Sequence, residues 1–159
     1  MSRIIRIEID DSALPAATPE MEQERRVAIF DLIEENSFAV PGRDGAAAPD
    51  GPFILELCIR EGRLVFDVTS EAHEKVAEFH LSLGPFRQVV KDYFQICQSY
   101  FDAVRRLPPA QIEAIDMARR GIHNEGARTL QERLEGKAEL DIYTSRRLFT
   151  LICALIPQA

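Results

Sequence analysis

Phe79-His80-Leu81-Ser82-Leu83-Gly84-Pro85-Phe86-Arg87-Gln88-Val89-Val90-Lys91-Asp92-Tyr93-Phe94 changes its apolar period in mid-stretch. Up to Leu83 the apolar side chains alternate, the pattern of a half-buried strand, with His80 on the outward side beside Glu78 and Ser82. From Gly84 onward they recur at helical spacing: Phe86, Val89, Val90, Tyr93, Phe94, Cys97, Tyr100, Phe101, Val104 and Leu107. Pro85 suits a first helical turn. The apolar arc of 84–107 is wide, which predicts a helix packed on more than one side, the spine of the core. Its aromatics read as core rather than as a ligand box.

Toward the N-terminus, strand signals dominate. Phe53, Leu55, Leu57 and Ile59 alternate, as do Leu64, Phe66 and Val68, with Glu61-Gly62 between them. That is a hairpin, its glycine free to take positive φ. A turn-rich stretch at 69–75 follows. Residues 41–52 hold three Pro, three Gly and three consecutive Ala, the composition of a flexible surface loop. Before it, Thr18-Pro19-Glu20 reads as a helix start: N-cap, Pro in the first turn, an acid beside the dipole. That helix is expected to turn Val27, Phe30 and Ile33 inward and to end near Asn36, with a short extended piece at Phe38 and Val40. Residues 3–9 alternate as a strand, and 10–17 are turn-like.

Toward the C-terminus, Pro108-Pro109 starts a helix with Ile112, Ile115, Ile122, Leu130 and Leu134 on one stripe. Gly121 and Gly126 each cost about 1 kcal/mol relative to Ala in a helix interior, so a kink or break there is expected. Glu135-Gly136-Lys137 ends it, and 145–155 forms a last apolar helix stopped by Pro157. The fold class is α+β in a single domain, 1–159. An N-terminal, mostly antiparallel sheet with one early helix (1–83) precedes three helices packed on the sheet (84–159).

The 159 residues are 46% hydrophobic, enough for a sizeable core. Net charge is −7, divided unevenly: −9 over residues 1–83 and +2 over 84–159. The acidic half argues against nucleic acid, and the mildly basic half leaves room for one anion site. No signal-like N-terminus is present, and the longest uncharged run, 148–159, is too short to span a bilayer. Cys58, Cys97 and Cys153 are odd in number and lie in apolar segments, so they read as free thiols in a reducing compartment. The expected location is cytoplasmic.

Residues 119–126, Arg119-Arg120-Gly121-Ile122-His123-Asn124-Glu125-Gly126, are the candidate site. Continued at 3.6 residues per turn, the helix sets Arg119 and His123 in its apolar stripe, where a cation is costly unless paired. Asp116 stands three and four residues before the two arginines, the spacing of helical ion pairs. One reading is therefore structural. The other is a pocket in which Arg119, Arg120 and His123, joined by Arg146 and Arg147 and flanked by Asn124 and Glu125, receive an anion or an acidic partner. A third gives His123 or Glu125 acid–base work.

Several chemistries are excluded. Gly121 and Gly126 have the spacing of a P-loop, but Ala127-Arg128 stand where Lys and Ser/Thr are needed. His123-Asn124-Glu125 matches the H-x-E of zinc deaminases without the downstream P-C-x-x-C. No G-x-S-x-G, cysteine-phosphatase loop or dinucleotide turn is present, and His73, His80 and His123 lack metal spacing.

Five stretches carry a resemblance: Leu83-Gly84-Pro85-Phe86-Arg87, Lys91-Asp92-Tyr93-Phe94, the run 111–117, residues 119–126, and the ending 146–153. Together with the hairpin they are similar to an uncharacterised bacterial protein family associated with alphaproteobacteria, over nearly the whole chain. The resemblance implies a single-domain cytoplasmic bacterial protein and brings no activity and no catalytic residue. The sequence itself assigns no reaction, no cofactor and no metal. It favours a small interaction or regulatory protein, with a protein partner or a homodimer and no membrane. The alternative is an enzyme or a binder of a small anion or phosphorylated metabolite at Arg119, Arg120 and His123.

Overall fold

The computed structural model describes residues 2–10, 12 and 18–156. Its elements run β1 (Ile4–Ile9), α1 (Pro19–Glu34), β2 (Phe38–Ala39), β3 (Phe53–Arg60), β4 (Arg63–Ser70), β5 (Lys75–Ser82), α2 (Gly84–Arg106), α3 (Pro109–Arg133), β6 (Glu139–Leu140) and α4 (Ile142–Cys153). The fold is α+β. The Pro157 stop and most of the turn-like stretch 10–17 lie outside the described residues.

The main sheet has the order β1-β3-β4-β5. β3, β4 and β5 form an antiparallel meander, and β1 joins parallel to β3. The hairpin forms where period and turn chemistry place it. Glu61 and Gly62 both take positive φ, 52° and 73°, the two-residue turn that suits strand twist. β2 and β6 pair separately as a two-stranded ribbon. The sequence reading missed β6 and the parallel pairing of β1: two residues show no period, and partners far apart in sequence leave no local mark.

One face of the sheet is apolar, with Phe53, Leu55, Leu57, Leu64, Phe66, Val68, Phe79 and Leu81 all buried. These side chains share one buried cluster with residues of α1, α2, α3 and α4. The opposite face carries charge. Glu78 there sits between Lys75 and His80, each at 2.7 Å, which hold its carboxyl down at about 2. His80 is outward, as its alternation predicts.

Thr18 caps α1 by accepting from Met21 N at 3.2 Å. Asn36, just past its end, works as a splice: Oδ1 accepts from Ile4 N at 2.7 Å, and Nδ2 donates to Ile4 O and Leu32 O at 2.8 and 2.7 Å. Its amide stands in for a strand partner on β1 and ties the helix end to the sheet. α1, however, is rotated from expectation. Ala28 and Leu32 are its buried residues, while Val27 and Phe30 face solvent at 47% and 69% exposure; only Ile33 packs inward as predicted.

The innermost helix is α4, not α2. Leu148, Phe149, Leu151, Ile152 and Cys153 are all buried, whereas α2 buries mainly its first half. α3 runs unbroken through both glycines. Gly136, past its end, takes φ 78° and closes the helix in the left-handed conformation. The two interior glycines differ in kind. A Cβ at Gly121 meets nothing within 4 Å, whereas one at Gly126 would overlap the ring of Phe149. α4 therefore lies directly on the backbone of α3, and Ser145 Oγ donates to Ala127 O at 2.6 Å beside that contact.

Two substitutions in one helix should thus move stability in opposite directions. Gly126→Ala is expected to lose about 1–3 kcal/mol because Phe149 is enclosed and cannot swing away. Gly121→Ala should gain up to about 1 kcal/mol of helix propensity. Urea denaturation reads both. Equal and opposite midpoints are not required, but a stabilised Gly126→Ala would contradict the packing described.

Candidate functional site

Arg119 and His123 lie on α3 where it faces α2 and α4. Arg119 donates to Asp116 Oδ1 from Nε at 3.0 Å and from Nη2 at 2.7 Å. Its guanidinium also lies 4.8 Å from the centroid of the Tyr100 ring. Burial works against its charge, but the hydrogen bonds to Asp116 and the negative charges of Asp116 and Glu24 outweigh it, so its pKa is raised. Tyr93 is fully buried, and its hydroxyl donates to Glu24 of α1. Burial first, and then Glu24, push the phenol above its usual range. The cation in the apolar stripe is therefore answered from its own helix, from a ring on α2 and from a carboxylate on α1.

His123 stands on the other side of Tyr93. Its ring lies 5.1 Å from Tyr93 and 5.3 Å from Phe149, centroid to centroid. Nε2 is 2.7 Å from Thr150 Oγ1. The same hydroxyl lies 3.3 Å from Arg146 O and can donate there, which makes Nε2–H the donor to Thr150. Nδ1 is buried with no hydrogen-bond partner, as is Nε of Arg146. Burial first, then the fields of Arg146, Arg119 and Arg147, lower the imidazole to about 4. His123 is neutral at pH 7 and walled by rings, a poor station for a general base near neutrality.

The other predicted site residues separate. Arg120 is outward, with Nε 3.2 Å from Asp116 Oδ2. Arg147 pairs with Asp31 of α1 at 3.6 Å. Asn124 is half-buried, and Glu125 is exposed. The structure thus gathers Arg119, His123 and Arg146, and leaves Arg120 and Glu125 at the surface. Glu24, Tyr93, Tyr100 and Thr150 were missed by sequence reasoning. One signal was present: Glu24 shares the i, i+4, i+8 stripe of Ala28 and Leu32, a carboxylate on a burying face.

Cys97 is pushed up to about 11 by burial and Glu24, and Cys153 is also raised well above the ordinary thiol, so neither is a ready nucleophile. Among the described residues no group of three or more His, Cys, Asp or Glu could hold a metal, and no helix is long and apolar enough to cross a membrane.

Beyond the cluster, α2 and α3 continue as a helical hairpin. Its distal half exposes Val104 (53%), Leu107 and Met117 (61%), with Phe101, Ile112 and Ile115 half-buried beside them. A second surface feature is an open groove of about 600 Å³ between the end of α3 and β6. It is bordered by Arg128, Glu132, Glu135 and Glu139.

The chain belongs to the uncharacterised protein family UPF0262, which it matches over residues 1–158. A UPF0262 protein of Paracoccus denitrificans is 76% identical over 156 residues, covering 98% of this chain and 96% of that one. Relatives in Cereibacter sphaeroides and Ruegeria pomeroyi are 75% and 72% identical over 155 residues, covering 98% of this chain and 98% and 96% of theirs. These are alphaproteobacterial proteins, as the resemblance implied. No solved structure matches the chain significantly.

The enclosed imidazole leads to a pH prediction. His123 falls from 6.5 unfolded to about 4 folded, so its contribution to stability is full above pH 6.5 and is lost as the pH drops toward 4. The unfolded chain binds that proton first, a difference worth up to about 3 kcal/mol. Urea unfolding of wild type and His123→Gln across that window isolates the effect from the carboxylates. The wild type should lose stability faster. Parallel curves would mean that His123 is not held neutral.

Proposed function

We propose that this UPF0262 protein works by binding another protein, in the cytoplasm, through the distal half of the α2–α3 hairpin. The observation that carries the reading is the exposure of Val104, Leu107 and Met117 on a rigid helical pair whose buried charges are already satisfied. Apolar residues clustered on a projecting element suit a partner's groove or helix. The Arg119 cluster, by contrast, spends its donors on Asp116 and Tyr100. Three buried free thiols fit a reducing compartment. A single buried cluster joining sheet and helices supports one domain.

A second reading has one observation in its favour. His123 Nδ1 and Arg146 Nε are buried without partners, and a small protonated anion such as hydrogen phosphate would satisfy both, accepting from Nε and donating its O–H to Nδ1.

A photo-crosslinking residue at Met117, compared with one at the exposed turn residue Glu71 on the sheet, tests the first reading in cells. Discrete adducts from position 117 alone, heavier than twice the chain, and lost in Val104→Asp, are the expected result. No adduct, or the same adducts from both positions, would remove the hairpin from consideration. For the second reading, inorganic phosphate and small carboxylates at about 100 times Kd should stabilise the wild type by roughly 2.7 kcal/mol in a thermal-shift assay. Folded Arg146→Gln should lose that response.

A further inference from the structure

Helix α1 carries two apolar faces. Ala28 and Leu32 enter the core, while Val27 and Phe30 lie on the outside with Asp31 and Glu34, spaced i, i+3, i+4, i+7. Arg26, one turn before Phe30, and Glu34, one turn after it, flank the exposed ring. Both are exposed, and among the described residues neither has an ion-pair partner. The stripe does not stop at α1. The Asp31–Arg147 pair joins it to α4, and Tyr143, one turn before Arg147, is 65% exposed.

We propose that this face is a homodimer interface, in which two copies lay their α1 helices antiparallel about a two-fold axis at Phe30. The charges on α1 are self-complementary in that arrangement. An antiparallel pair centred on residue 30 sets each residue before the centre opposite its counterpart after it. Arg26 then meets Glu34 of the partner subunit, and by symmetry Glu34 meets Arg26 of the partner subunit, so one pattern supplies both ion pairs. A parallel pair would set Arg26 against Arg26 of the partner subunit and Glu34 against Glu34 of the partner subunit, which repel. The sequence around Phe30 therefore selects its own reverse.

Size points the same way. Centred on Phe30, two copies of α1 overlap only over residues 26–34, about 14 Å of helix, and that overlap alone falls short of the roughly 800 Å² per partner of a standard interface. Tyr143 and the α4 surface beside it extend the patch across two helices. The face is also preorganised. Thr18 caps the start of α1, Asn36 splices its end to β1, and Arg3 donates to Ile33 O, so little is ordered on pairing. The start of α1 touches the α2–α3 hairpin, with Arg105 3.4 Å from Glu20, but Val104, Leu107 and Met117 lie outside the proposed face and stay free for a partner.

Sedimentation-velocity ultracentrifugation at micromolar concentrations tests it, on wild type, Phe30→Glu, Arg26→Glu, Glu34→Arg and the double charge reversal. The wild type should sediment as a dimer. Phe30→Glu, at a site outside the core, should stay folded by circular dichroism and become a monomer. Each single reversal should weaken the dimer about tenfold, because two exposed pairs are lost together. The double reversal should bring the affinity back. A monomeric wild type, a dimer that survives Phe30→Glu, or a double reversal no tighter than the singles would each overturn the proposal.

Discussion

The contact of Phe149 with the bare backbone at Gly126 is the constraint on which the helical half depends. Without a side chain at that position, α4 settles directly against α3 and becomes the most enclosed helix of the protein. Everything nearby follows from the close approach. Ser145 reaches Ala127 O, His123 lies one turn earlier against the Phe149 ring, and Thr150 comes within hydrogen-bond reach of the imidazole. A helix former at this position would improve propensity and lose the packing. Packing outweighs propensity here, since a core at crystal-like density has no room to receive a methyl group.

The same closeness explains the chemistry of the cluster. The fields of Arg146, Arg119 and Arg147 reach the buried imidazole and add to desolvation in keeping it neutral. A cationic histidine would have been one more charge in an enclosed site. Arg119 keeps its own charge because Asp116, the Tyr100 ring and Glu24 outweigh the cost of burial. The arrangement is a polar seam between packed helices, with most of its donors and acceptors matched internally.

What was legible in the sequence was local. The hairpin at 53–68 could be read because alternation and a two-residue turn specify it together. The switch to helices at Gly84 and the Thr18 cap are likewise properties of neighbouring residues. The parallel pairing of β1 with β3 was not legible, since partners such as Ile4 and Phe53 lie far apart in the chain with no shared signal. The rotation of α1 failed for a different reason. Val27 and Phe30 are larger than Ala28, so hydrophobicity favoured the wrong stripe, while Asn36 and the inward Glu24 fix the true one. In α2 the long apolar arc suggested a spine, but half of it lies on the projecting hairpin. Arg119 and His123 were found because charge interrupts an apolar stripe. Their partners Glu24, Tyr93 and Thr150 come from three other helices, and only the fold brings them together.

Several junctions between helices in this protein are held by polar links as well as by packing. Tyr93 and Glu24 join α2 to α1, His123 and Thr150 join α3 to α4, and Asp31 and Arg147 join α1 to α4. Such links contribute more to register than to stability, because a purely apolar junction can slide while a matched donor and acceptor cannot. Phe30, Tyr143, Val104 and Met117 contribute nothing to the core cluster. Folding does not account for large apolar side chains at those positions.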